Sequence, residues 1–118
     1  MNAQLGLETY MPTLIFSTRF HAAVESGEKR QTIRPTRKRP IRIGDPLSLR
    51  AWTGAPYRSP QRELRSSICI DVTPFIITED FTDNEEAIRD GFEDAVEMKA
   101  WFRNVHGLPF TGDRIRWA

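Results

Sequence analysis

The sequence predicts one α+β domain, over residues 12–118, in which five or six short strands form a small β-barrel beside two or three short helices. A chain of 118 residues is long enough for a single modest core. Short apolar or alternating runs, typical of strands, recur along the chain, whereas helical periodicity is confined to brief segments. Turns rich in Gly and Pro separate these runs. Residues 1–11 are expected to form a flexible leader.

The first strand and the first helix are predicted near the N-terminus. Residues 13–17 are mostly apolar and rich in β-formers, which favours a buried strand. Ser17 or Thr18 can cap a short helix that extends through Val24. Gly27 is suited to end this helix, because glycine adopts the left-handed conformation of a C-cap without strain.

Two further strands are predicted on either side of the turn signal at 44–45. The first, at 31–34, ends before Pro35, which has no backbone donor. The second, at 47–52, follows Pro46 and alternates apolar with polar residues.

The longest predicted strand covers residues 65–77 and is expected to be interrupted at Pro74. Residues 53–62 before it contain Gly and Pro and predict an irregular loop. Phe110, followed by residues 114–117, is predicted to supply a closing strand.

Two helices are predicted between the long strand and the closing strand. The first begins at Asp83 or Asn84 and stops near Gly91. The second, at about 94–105, is amphipathic. Its apolar face is predicted to consist of Val96, Ala100, Trp101 and Val105.

Charge is distributed unevenly along the chain. Net charge is only +1. Residues 19–65 contain twelve Lys or Arg against four Asp or Glu, whereas residues 66–118 contain five against eleven. This asymmetry favours an electropositive face beside an acidic one, although the two halves could equally neutralise each other across the fold.

The most informative segment is the stretch 28–42, with seven Lys or Arg, one Glu and two threonines. Pro35 and Pro40 oppose a continuous helix, so the cations are expected on a strand and a loop. Such a loop favours a polyanion or a small ligand with electron-rich edges.

Other functional classes are disfavoured by composition. Cys69 is the sole cysteine, which rules out an internal disulfide and favours a buried structural thiol. His21 and His106 have no companions at metal-ligand spacing, so neither a metal nor a cofactor is expected. The absence of a membrane-length apolar run and of a signal pattern predicts a cytoplasmic protein with no membrane partner.

Three elements in order resemble the ASCH domain, a relative of the PUA domain. Residues 27–34 fit the pattern Gly-x-Lys-x-x-Thr-x-Arg, residues 43–49 contain a Gly-Asp strand start, and residues 90–92 read Asp-Gly-Phe. The match extends from about Thr13 to the C-terminus and is similar to small phage- and prophage-encoded members of the family.

The resemblance implies a PUA-like β-barrel that binds a nucleic acid or a nucleoside. One branch of the family consists of amidohydrolases that remove the acetyl group of N4-acetylcytidine with a Lys, a Thr and a Glu. Carried over to this chain, these residues are Lys29, Thr32 and Asp90, where that branch has Glu. Glu93, three residues further on, is the alternative carboxylate.

The residue types suit amide hydrolysis, which needs a nucleophile, a base and a group that stabilises the oxyanion. Thr32 could be the nucleophile and Lys29 its base, with a pKa lowered by neighbouring arginines. Arg34 could bind the substrate carbonyl. Because residues three apart on a strand do not share a face, Lys29 and Thr32 require a turn between them.

Trp52 and Tyr57, at the edge of a polar loop, are candidates for stacking on a base, although they could equally cover a small barrel. Each site residue also has a structural interpretation: Lys29 as a surface cation, for example, or Arg34 as the partner of a carboxylate. Arg37, Lys38 and Arg39 support a second hypothesis, a non-catalytic RNA-binding module. A ribonuclease is a third.

Overall fold

The computed structural model describes residues 10–118, so residues 1–9 of the predicted leader lie outside the described part. Within residues 10–118 there are five strands: β1 (Thr13–Ile15), β2 (Gln31–Arg34), β3 (Pro46–Trp52), β4 (Gln61–Ile77) and β5 (Phe110–Trp117). The same part of the chain has three α-helices: α1 (His21–Ser26), α2 (Asn84–Arg89) and α3 (Ala95–Val105). A 3-10 turn at Thr18–Phe20 leads into α1. The predicted α+β class is confirmed.

The five strands form one mixed sheet in the order β1-β3-β4-β5-β2. β1 pairs with β3 in parallel, and the other neighbours are antiparallel. Within residues 10–118, backbone pairing does not close the sheet, so β1 and β2 are its two edges. Closure into a barrel therefore stays a prediction.

Arginine side chains connect these two edge strands. Arg34 on β2 donates from Nη2 to the carbonyl oxygen of Ile15 on β1 at 2.8 Å. Arg37, just after β2, donates to the carbonyl oxygen of Thr13 at 3.1 Å. The edges are therefore close enough for one side chain to join them, and the space between them is a natural place for a pocket.

Most predicted elements of the N-terminal half are confirmed with small shifts at their ends. Gly27 ends α1 with a φ of 83°, as its C-cap position predicts. The long strand differs: β4 begins at Gln61 and passes through Pro74 without interruption. Proline is tolerated in a ladder at positions that need no amide donor. β5 begins at Phe110 and ends at Trp117, so the predicted closing strand is confirmed; its first residues pair with the end of β4.

The prediction for the apolar face of α3 is confirmed for Trp101, which packs against the core, and wrong for Val96 and Val105. The buried residues of this helix are Ala95, Met98 and Phe102, at helical spacing. Val96 and Val105 are 73% and 54% exposed. Apolar character alone placed these two valines on the buried face, because the sheet and α2 determine which side of α3 faces the core.

The core is formed by the inner side of the sheet and the helices packed on it. Trp117, Leu47 and Leu49 from the strands are completely buried together with Met98 and Phe102 of α3. Cys69 is buried and free, as predicted. Within residues 10–118, no helix is long and apolar enough to cross a membrane.

Candidate active site

A pocket of about 410 Å³ lies between the two edge strands of the sheet and the helical side of the domain. Its walls come from the end of β1, from β2, from the turn between α2 and α3, and from the last turn of α3. The polar side chains that line it are those of Ser17, Lys29, Thr32, Arg34, Asp90 and His106. Three catalytic candidates and one binding candidate from the sequence therefore share one pocket.

Lys29 lies just before β2, and the predicted turn between Lys29 and Thr32 is not present, because the turn in this segment is at Gly27, before Lys29. Its backbone N–H donates to the carbonyl oxygen of Ala23 at 2.9 Å, which ties this segment to α1. Because Lys29 is outside the strand, strand alternation does not direct its side chain away from the pocket that Thr32 lines. The interpretation of Lys29 as a surface cation is wrong, since the residue is only 3% exposed.

The Lys29 ammonium is surrounded by Asp90 and aromatic rings. Nζ donates to the carbonyl oxygen of Asp90 and lies 3.5 Å from its Oδ1. Nζ is also 4.8 Å from the centre of the Phe20 ring. Burial lowers the pKa of Lys29 to about 8, because the charge of Asp90 offsets desolvation only in part and the charge of Arg34 adds to it. Burial therefore lowers the pKa of Lys29 more than the neighbouring arginines do, which were the cause expected from the sequence.

Asp90 is positioned by the end of α2 and by the glycine that follows it. It is the C-cap of α2. Gly91 has a φ of +98°, and a Cβ there would lie 2.9 Å from Cδ1 of Phe20 and 3.1 Å from Cδ of Lys29. Only glycine fits this backbone conformation and this close contact. Gly91 therefore permits Asp90 and Lys29 to meet.

A glutamine that was not predicted as a site residue holds the Asp90 carboxylate. Gln31, 2% exposed, donates from Nε2 to Oδ1 of Asp90 at 3.2 Å and to Oε2 of Glu86 at 2.6 Å. Burial raises the pKa of Asp90, although Lys29 and Gln31 act in the opposite direction. Asp90 and Lys29 are thus a buried pair in which desolvation pulls both groups toward their neutral forms.

Glu86 is a second buried acid that the sequence did not single out. Its Oε1 accepts from Arg114 at 2.7 Å and from Arg89 at 3.1 Å. Burial alone would raise the pKa of Glu86, but the hydrogen bonds of Gln31 and Arg89 and the charge of Arg114 outweigh burial and lower it. Glu86 therefore remains ionised beside Asp90.

Arg34 contacts the hydroxyl of Thr32 directly. Nε of Arg34 donates to Oγ1 of Thr32 at 2.9 Å, and Thr32 is 5% exposed. Burial lowers the pKa of Arg34 to about 10, which leaves the guanidinium charged at neutral pH. Within residues 10–118 no carboxylate forms an ion pair with Arg34, so the interpretation of Arg34 as a structural salt-bridge partner is wrong. The positive charge of the Arg34 guanidinium next to Oγ1 favours the deprotonated form of the Thr32 hydroxyl.

The rest of the pocket is aromatic. Phe16, Phe20, Phe92, Trp101 and Phe102 line it, and several of these rings meet edge to face. His106, which the sequence did not suggest, lies among them, 4.7 Å from the ring centre of Phe110. Burial and the charge of Arg34 lower the pKa of His106, which favours the neutral imidazole. A planar ligand could stack on these rings while its polar end meets the charged side chains of Lys29 and Arg34, which lie over Phe20 and Phe16.

Three predicted site residues do not line this pocket. Glu93 is exposed, and its backbone N–H donates to Oε1 of Glu97 at 2.9 Å, so the nearby carboxylate is that of Asp90. Trp52, at the end of β3, packs on Tyr57, in the loop before β4, with the ring centres 5.1 Å apart. Tyr57 is 87% exposed with a φ of 63°.

The donor set of the described residues does not suit a metal ion. Within residues 10–118 no group of three or more His, Cys, Asp or Glu side chains is arranged to hold one. Comparisons with known protein families, with curated proteins and with solved structures found no match to this chain. The functional interpretation therefore rests on the residues and on the pocket they line.

Proposed function

We propose that this chain is a metal-independent amidohydrolase of the ASCH type that removes the acyl group from N4-acylated cytosine nucleosides. The observation that carries the proposal is the meeting of Lys29, Thr32 and Asp90 in one pocket, with Lys29 Nζ 3.5 Å from Asp90 Oδ1. A PUA-like barrel over residues 12–118 and a cytoplasmic location belong to the same proposal. The resemblance of residues 27–34 to the family pattern supports it independently of the geometry.

Thr32 is the nucleophile in the first half of the reaction. Its Oγ1 attacks the acyl carbon while the neutral Lys29 amine takes the hydroxyl proton. The resulting Lys29 ammonium gives a proton to N4 as the bond between N4 and the acyl carbon breaks. Cytidine leaves, and the acyl group remains as an ester on Thr32.

Water completes the cycle. Lys29 removes a proton from the water molecule as its oxygen attacks the ester, and returns a proton to Oγ1 as Thr32 departs. The carboxylic acid is released. Asp90 orients the Lys29 amine through both steps, and the Arg34 guanidinium stabilises negative charge on Oγ1 and on the substrate oxygen.

The dimensions and lining of the pocket support a nucleoside-sized ligand. A volume of about 410 Å³ lies within the usual range for small-molecule sites. The aromatic rings of the lining offer faces for the cytosine ring, and the charged side chains lie next to them. Trp52 and Tyr57 remain proposed stacking residues only for a substrate that extends beyond the pocket.

The experiment that tests the proposal follows hydrolysis of N4-acetylcytidine by its ultraviolet change. Lys29→Met and Thr32→Val should each lose activity by about 10²-fold or more, whereas Thr32→Ser should keep part of it. Lys38→Met and Thr36→Val, in the same basic stretch but outside the pocket, are matched controls that should behave as wild type. A folded wild type without turnover of acetylcytidine or longer acyl analogues would refute the proposal.

RNA binding is the second candidate function, and the placement of the basic segment favours it. Pro35 lines the pocket, and Arg37, Lys38 and Arg39 follow directly, with Lys38 and Arg39 exposed. An RNA strand could therefore contact this segment while one of its bases occupies the pocket. Binding of this kind should weaken steeply with salt and in an Arg39→Gln variant, whereas hydrolysis of a free nucleoside should not.

A further inference from the structure

A second cleft, of about 510 Å³, lies on the other face of β2 from the pocket. Gln31 lines the cleft and Thr32 lines the pocket, as expected for successive residues of a strand, whose side chains point to opposite faces. Three arginines from different parts of the chain meet in the cleft: Arg30 before β2, Arg89 at the end of α2, and Arg116 on β5. The proposed hydrolysis uses none of them.

Each of these guanidinium groups is positioned by a contact that uses only part of its donors. Nε of Arg30 donates to the carbonyl oxygen of Gly27 at 2.7 Å. Nε of Arg116 donates to Oε1 of Gln31 at 3.3 Å, and Nη2 of Arg89 donates to Glu86 at 3.1 Å. Among the described residues these are the only hydrogen bonds of the three guanidiniums. The remaining N–H groups are available to a ligand.

The carboxylates nearby satisfy these cations only in part, since in the described part of the chain Arg89 alone of the three has a close ion pair, with Glu86. Glu86 already accepts the 2.7 Å bond of Arg114, and Arg116 Nη2 lies 4.0 Å from it, at the limit of an ion pair. Glu28 also lines the cleft, as does Ala118 at the end of the chain. Within residues 10–118 neither of them forms an ion pair with the three arginines.

We propose that Arg30, Arg89 and Arg116 form a binding site for a phosphate group, distinct from the pocket of Lys29. Guanidinium groups bind phosphate oxygens in pairs of parallel hydrogen bonds. Three guanidinium groups therefore match a ligand with several acceptor oxygens. The Gln31 side chain, which bonds Arg116 on one side and Asp90 on the other, connects this site to the pocket. The site does not depend on the proposed amidohydrolase activity.

The test is a calorimetric titration with inorganic phosphate at constant ionic strength. The double variant Arg30→Gln/Arg116→Gln removes two of the three guanidinium groups. Arg42→Gln/Arg58→Gln is the matched control, since both residues are exposed and lie outside the cleft. Wild type and control should bind one phosphate with equal affinity. The double variant should bind at least about tenfold more weakly.

Two competition measurements identify the natural source of the phosphate group. A short RNA with a 5′-phosphate and the same RNA without it are each tested as competitors of inorganic phosphate. Competition that needs the 5′-phosphate supports a strand terminus as the natural ligand, and equal failure of both RNAs supports a small free phosphate compound. Competition by both supports internal phosphates of a strand.

Three results would overturn the site: no saturable phosphate binding by wild type, unchanged affinity in Arg30→Gln/Arg116→Gln, or equal weakening in the control. Thermal unfolding of each variant shows whether it is folded. The single variant Arg30→Gln, which loses only one bond to a backbone carbonyl, provides the same test if the double variant is unstable.

Discussion

Glu86 and Asp90 lie one helical turn apart at the end of α2, are both at most 3% exposed, and share the amide of Gln31. Their pKa values nevertheless move in opposite directions, lowered for Glu86 and raised for Asp90. Arg89 and Arg114 donate to Glu86, whereas Asp90 has one lysine whose own pKa is lowered. The number of cations that contact each carboxylate therefore separates Glu86, an acid that stabilises the fold, from Asp90, an acid whose partner is the Lys29 amine.

Replacement of Glu86 by Gln should have the largest effect on stability. Glu86→Gln leaves partly buried Arg114 without a charged partner, and the loss of one member of a buried ion pair costs about 3–5 kcal/mol. Urea unfolding measures this change directly. A loss below about 1 kcal/mol would contradict the structural role of Glu86.

The pH dependence of the Glu86→Gln effect sharpens this contrast. A lowered pKa in the folded state means that Glu86 stabilises the fold above its ordinary pKa of 4.5 and that this stabilisation is lost as the pH falls. The raised pKa of Asp90 has the opposite effect on stability. The contribution of Asp90 to the free energy of unfolding decreases as the pH rises above 3.8. The free energy of unfolding of Glu86→Gln should therefore decrease less on the acid side than that of wild type, whereas Asp90→Asn should make that decrease steeper.

Asp90→Asn should have the largest effect on the proposed activity. We expect a loss of about 10²-fold or more in the hydrolysis of N4-acetylcytidine, because the Lys29 amine loses the carboxylate that orients it. The loss of stability should be smaller than in Glu86→Gln. Glu93→Gln is the control for the alternative carboxylate and should keep wild-type turnover. Activity lost in Glu93→Gln but kept in Asp90→Asn would reverse the assignment.

The charged residues and the threonine of the pocket were predictable, whereas its aromatic residues, His106 and the network behind it were not. Lys29, Thr32 and Arg34 lie within six residues, and Asp90 is recognisable before Gly91. The bond between Gln31 and Glu86 joins positions 55 apart, and no local pattern indicates that one acid of an acidic helix is buried.

The error in the predicted face of α3 has the same physical origin. Val96 and Val105 were taken for part of its buried face because periodicity gives a stripe but not its partner. Contacts of α3 with segments distant in the chain decide which residues are buried. Trp52 and Tyr57 were proposed from their position at the edge of a polar loop; they pack on each other there, and their role in stacking on a base stays a prediction.

The pH profile of the reaction tests Lys29 as the base. With a pKa of about 8, the neutral amine becomes scarcer below that pH, so kcat/KM should fall about tenfold per pH unit there and level off above it. Asp90→Asn removes the nearest negative charge, so the midpoint of its residual activity should move to lower pH. A profile that is flat between pH 6 and about 8 would exclude Lys29 as the base.

Stability gives an independent measure of the same pKa. Because the folded protein binds the Lys29 proton more weakly than the unfolded chain, the free energy of unfolding should rise with pH between about 8 and 10.5. Lys29→Met should remove this rise, and Lys38→Met should leave it unchanged.

The smallest effect is expected for a salt bridge outside both buried networks. Oε2 of Glu25 lies 3.2 Å from Nη1 of Arg62, and the two side chains are 53% and 46% exposed. Glu25→Gln should lower the free energy of unfolding by less than about 1 kcal/mol, because solvent already screens the pair. The same substitution at Glu86 should cost several times more, although both glutamates contact arginine. Equal losses in urea unfolding would mean that burial does not distinguish the two acids, and the comparison between Glu86 and Asp90 would lose its basis.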